Sequence, residues 1–119
     1  MPRILAIGLD PAFADYSTMP GLTPGMVLAY IDSQLQRLRG LGYEVESCLV
    51  DPDAWEEPVI AHLEASEFDC VMIGAGLRDT SRLLLFEKLI NLVHARAPRA
   101  KLCFNATPAD TAQAVRRWV

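Results

Sequence analysis

The chain of 119 residues predicts an α/β fold, with one parallel sheet of four strands between layers of helices. Three observations predict it. Strand-like and helix-like segments alternate four times along the chain. The first strand-like segment is a continuous apolar run, the pattern of a strand covered on both faces. Helical pattern fills every gap between strands, as crossovers between parallel neighbours require.

The first strand is expected over residues 3–9, Arg-Ile-Leu-Ala-Ile-Gly-Leu. The second, residues 43–50, alternates more and suits a sheet edge. The third covers residues 69–73 and the fourth residues 101–104, ending at Asn105. Thr23-Pro24 supplies an N-cap and a proline in the first helical turn. Val27, Ile31, Leu35 and Leu38 follow at helical spacing, and Gly40 and Gly42 close that helix. Asp53 with Glu56 reads as a capping box for a short helix through Val59, Ile60 and Leu63. Asp79, Thr80 or Ser81 can cap a long helix reaching about Arg96, ahead of Pro98. Asp110 with Gln113 reads as the capping box of a last helix through Val115 and Trp118. Right-handed crossovers then give a three-layer α/β/α arrangement with strand order 2-1-3-4, as in flavodoxin-like sheets.

The length suits a single domain spanning residues 1–119. Hydrophobic residues make up 51%, enough for a core, and the 22% of charged residues argues against disorder. The net charge of −4 argues against nucleic acid as a partner. No apolar run approaches the roughly 18 residues of a membrane span. The opening Met-Pro-Arg-Ile-Leu-Ala-Ile-Gly is too short for a signal peptide, because Asp10-Pro11 ends it. Cys48, Cys70 and Cys103 each fall within a strand-like run and none has metal-ligand spacing. They read as buried small hydrophobes in a reducing, cytoplasmic compartment. His62 and His94 fall within helices, so neither a metal site nor a histidine acid–base role is expected.

In an open parallel sheet, ligands bind beyond the carboxyl ends of the strands. Three segments matter there. After strand 1, the loop 10–22 exceeds the roughly 2–6 residues usual for such a connection. Asp10 is expected at the crevice floor, with Asp15, Tyr16 and Ser17 reaching over it. The same loop also fits a packed surface turn held by Phe13 and Met19. After strand 3, Gly74 and Gly76 allow close backbone approach and Arg78 adds a fork of donors. The start of the next helix would add free N–H groups, which together suit a phosphate or carboxylate. A tight turn with Arg78 paired to Asp79 or Glu87 fits those residues too. After strand 4, Asn105 and Thr107 can hydrogen-bond a polar ligand, while Asp110 reads as a helix cap.

The helix at 81–96 carries two apolar stripes, Leu83/Phe86/Ile90/Val93 and Leu85/Leu89/Leu92. One faces the sheet, and the other needs a cover, either flanking helices or a second copy in a homodimer.

The order of elements over residues 3–107 resembles the receiver domain of two-component response regulators. Asp69-Cys70-Val71-Met72-Ile73-Gly74 is similar to the third receiver strand, but Gly74 stands where that family carries its phosphorylated aspartate. Only Asp10 matches the receiver acidic pair, Asn105-Ala106 stands in place of Thr/Ser-Ala, and the fifth strand with its lysine is missing. The resemblance implies the fold, without phosphotransfer chemistry. Two functions follow as expectations. One is a site for a small polar or anionic ligand, with Asp10 as a base and Arg78 holding negative charge if a reaction occurs. The other is a non-catalytic interaction or dimerisation module. No cofactor is indicated by any motif.

Overall fold

The computed structural model describes residues 1–119. Strands β1 (Arg3–Leu9), β2 (Glu44–Val50), β3 (Cys70–Ile73) and β4 (Lys101–Phe104) form one sheet. All three pairings are parallel and the order is β2-β1-β3-β4, as the crossover argument requires. The more strongly alternating strand does lie at an edge. The registers set Arg3 beside Glu44, Ile4 beside Cys70, and Cys70 beside Lys101. At the amino edge, the Arg3 amide donates to Asp69 Oδ2 at 2.7 Å and its guanidinium to Glu44 at 2.9 Å, which aligns β1 with both neighbours.

Helices α1 (Pro24–Gly40) and α4 (Thr111–Arg116) pack on one face, and α2 (Glu56–Ala65) and α3 (Leu83–Arg96) on the other. The period of two along each strand sorts the core into two clusters. Ile4, Ala6, Cys70, Met72 and Cys103 meet Leu35, Leu38 and Val115 on the α1/α4 face. Leu5, Ile7, Val71 and Ile73 meet Val59, Leu63, Leu89 and Val93 on the opposite face. Burying each Val, Leu, Ile or Met among them contributes about 1.5–3 kcal/mol.

Helix α1 begins as its sequence dictates. The Thr23 side chain accepts from the Met26 amide, with Pro24 at the first helical position. Gly42, at φ +100°, supplies the left-handed turn that follows.

Three other capping expectations are corrected. Trp55, without a side-chain cap bond, precedes α2, and Asp53 instead donates its amide to Asp51 in a tight turn. Asp79 accepts from Ser81, but it caps a 3-10 turn at Thr80–Arg82 that comes before α3. Thr107 and Asp110 form the capping box at the chain's end, one turn earlier than the Asp110/Gln113 pair. In each case a short 3-10 turn or Asx turn absorbs the polar residue before the α-helix begins.

On α3, Leu89 and Val93 are fully buried, while Leu85, Phe86, Ile90 and Leu92 are half-buried against the same core. Both apolar stripes therefore find cover within the chain over most of their length. Leu83 and Leu84 do not, at 63% exposed each. No helix is long and apolar enough to cross a membrane.

Candidate functional site

The carboxyl ends of β1, β3 and β4 open onto one cavity of about 170 Å³ on the α1 side of the sheet. It forms where small residues stand at the carboxyl end of that face. Going up β1 the face reads Ile4, Ala6, Gly8, and going up β3 it reads Cys70, Met72, Gly74. Ser47 on β2 extends the strip of small residues. Near the amino edge Leu35 and Leu38 of α1 fill the layer, and both are buried. Near the carboxyl edge Val27 and Ile31 face small residues and leave a void between helix and sheet. Pro11 and Ala14 from the first loop form one wall, and Asn105, Pro108 and Thr111 form another.

Asn105 is the polar centre of this cavity and is 5% exposed. Its Oδ1 accepts from the Ala75 amide at 3.2 Å. Its Nδ2 donates to Thr111 Oγ1 at 3.1 Å, and the Thr111 hydroxyl donates in turn to the Pro108 carbonyl at 2.7 Å. This chain fixes the orientation of the amide, because the Ala75 N–H can only meet an acceptor. Each end of the amide keeps capacity for one more hydrogen bond.

The expected residues divide between those that meet the cavity and those that do not. Gly74, Gly76 and Asn105 line it. Gly74 donates its amide to Ile7 O at 2.8 Å, and a Cβ there would sit 3.4 Å from that oxygen. A Cβ on Gly76 would come within 3.0 Å of Leu9 Cβ. Both glycines thus allow the β3 loop to press against β1.

Arg78 does not line the cavity. Its guanidinium donates to the carbonyls of Ile73 and Asn105 and lies 5.1 Å from the centroid of the Phe104 ring. Phe104 stacks edge-on against Phe86, so this cluster belongs to the α3 side. The expected pairing of Arg78 with Asp79 or Glu87 does not form. The start of α3 is also displaced from the site, because 3-10 turns at Ala75–Leu77 and Thr80–Arg82 precede it.

Asp10, Asp15, Tyr16 and Thr107 do not line the cavity either. Asp10 caps the 3-10 turn at Pro11–Phe13 by accepting from the Ala12 amide. Tyr16 donates its hydroxyl to the Pro11 carbonyl at 2.6 Å. Asp15 accepts from Ser17, whose amide and hydroxyl hold the carboxyl below its usual range. Thr107 caps the turn at Pro108–Asp110. The polar side chains of the long loop therefore organise the loop itself, and its apolar Pro11 and Ala14 face the void.

His62 lies 3.0 Å from Glu46, at the α2–β2 contact and apart from the cavity. No group of three or more metal-ligating side chains occurs.

Sequence reasoning missed the apolar residues Ala6, Gly8, Val27 and Ile31 of the site, and Ser47 beside them. The signal was available as the declining side-chain size at alternate positions of β1. Comparison with protein-family models and with curated proteins gives no match to this chain.

Proposed function

We propose that this protein binds a small molecule with an apolar body and an uncharged polar end, seated at the carboxyl edge of its sheet. One observation carries the reading: none of the eighteen residues lining the cavity has an ionisable side chain, and the buried amide of Asn105 stands in its wall. An apolar cavity with few fixed polar groups is the usual form of a ligand site. A lining without an acid or a base supports binding over acid–base catalysis. It also favours a neutral polar ligand over the anionic one that Arg78 suggested. The volume suits a small occupant, since an apolar cavity of roughly 150 Å³ accepts a benzene-sized molecule. Asn105 would take a carboxamide or hydroxyl through its spare donor and acceptor.

A thermal-shift series tests this, with benzamide and phenylacetamide against inorganic phosphate. The amides are expected to raise the melting temperature in proportion to the logarithm of their concentration, and phosphate to leave it unchanged. Stabilisation by phosphate alone would reverse the assignment.

The second reading is a receiver-like interaction module that pairs with another copy through α3. Leu83 and Leu84 favour it, as adjacent exposed leucines on the first turn of that helix. A cytoplasmic setting belongs to the same proposal and is supported by three cysteines that are all free and buried.

A further inference from the structure

Cys70 opens β3 and Cys103 is the third residue of β4. The strands are neighbours, and both side chains project toward α1 and α4. The register sets Cys103 beside Met72 and Cys70 beside Lys101, so the thiols meet on a diagonal. Their sulfurs are 3.4 Å apart, and the residues are 1% and 0% exposed. Cys48 lies in the core of the opposite face. Two thiols have thus been brought together from positions 33 residues apart.

We propose that Cys70 and Cys103 are a reversible dithiol–disulfide pair, oxidised by hydrogen peroxide or a related hydroperoxide. The Cys103 thiolate attacks the peroxide oxygen, the O–O bond breaks, and hydroxide leaves, giving a sulfenic acid at Cys103. The Cys70 sulfur then attacks the Cys103 sulfur. The S–S bond forms, the S–O bond breaks, and the hydroxyl leaves as water with the Cys70 proton. Two thiols become one disulfide, and one hydrogen peroxide becomes two waters.

The electrostatics agree with this division of roles. The hydrogen bond from Cys70, aided by the charge of Arg117, outweighs burial and lowers the Cys103 thiol. The same hydrogen bond and burial raise the Cys70 thiol. Burial pushes Cys48 up to about 11, which keeps it in the unreactive thiol form.

Access comes through α4. Ala112, Ala114 and Val115 belong to the same core cluster as the two cysteines, and α4 has only six residues. Reaction with a peroxide therefore requires local opening of this six-residue helix. Bond formation needs the sulfurs to close by about 1.4 Å.

The test uses the intact protein treated with a small excess of hydrogen peroxide, then denatured in N-ethylmaleimide and mapped by mass spectrometry. The expected product lacks two hydrogens, carries one maleimide at Cys48, and has a Cys70–Cys103 bridged peptide. Dithiothreitol should restore three alkylated thiols. Cys70→Ala should leave a sulfenic acid at Cys103 that dimedone traps. The wild-type peptide map decides the matter even if that variant fails to fold. Three alkylated thiols after peroxide, oxidation centred on Cys48, or a bridge only between two chains would each overturn the proposal. None of these readouts depends on the cavity ligand.

Discussion

The guanidinium of Arg78 donates to the backbone carbonyl of Asn105, while the Asn105 side chain accepts from the Ala75 amide three residues before Arg78. The loop after β3 thus donates two hydrogen bonds to the loop after β4, both to Asn105. Both residues had the chemistry of ligand contacts. One spends its donors on the protein, and only the other borders the cavity.

Arg78 is therefore expected to act on stability. Its planar fork reaches two carbonyls and lies over Phe104, which a lysine ammonium cannot reproduce. Arg78→Ala leaves two carbonyls without their donor and should cost about 1–3 kcal/mol. Arg78→Lys should recover only part of it. Denaturant melts of the three proteins measure this, and an unchanged midpoint in Arg78→Ala would contradict the tie between the loops.

Asn105→Ala removes the acceptor of the Ala75 amide and the donor to Thr111. A loss of about 1–3 kcal/mol is expected from the partly buried groups left unpaired. Thr111→Val keeps the Ala75 bond and should cost less. Equal losses in the two variants would show that the Ala75 bond carries nothing.

The segment before α4 should loosen in acid. Burial raises the Asp110 carboxyl, but the amides of Ala106 and Thr107 outweigh it and hold the group below its usual 3.8. A carboxylate whose folded value is depressed contributes stability above its unfolded value and loses it as pH falls through the folded one. Protection of the Ala106 and Thr107 amides against hydrogen exchange should therefore hold at neutral pH and decline below pH about 4, beyond the intrinsic pH trend. In Asp110→Asn that added decline should be absent. A wild-type profile matching the variant's at every pH would contradict the assignment.

A dimer through α3 has a narrower basis than the apolar stripes suggested. Six of the seven stripe residues pack at least partly on the core, so contact would centre on Leu83 and on Leu84, which belongs to neither stripe. Sedimentation at tens of micromolar should find a dimer that the double change Leu83→Glu, Leu84→Glu converts to a monomer. A monomeric wild type would remove this reading.

The strands were legible because a doubly covered parallel sheet demands continuous apolar runs such as Ile4–Ile7, and crossovers limit the orders those runs can take. The Thr23-Pro24 helix start was legible because its cap is local. The partners of Arg78 were not, because the carbonyl of Asn105 is 27 residues away and enters no local pattern. The nearness of Cys70 and Cys103 depends on register, which sequence periodicity leaves free by a residue or two. The bonds of Asp10, Asp15 and Tyr16 within their own loop were not legible, because the side chains that suit a ligand also suit a turn.

Titration of the isotopically labelled protein with benzamide, followed in amide proton–nitrogen spectra, tests the ligand cavity most directly. Shifts should concentrate at Gly8, Gly74, Ala75 and the Asn105 side-chain amide, and should disappear in Ala14→Phe, which fills the wall. Shifts scattered over the surface, or unaffected by Ala14→Phe, would contradict a binding site at the carboxyl edge of this sheet.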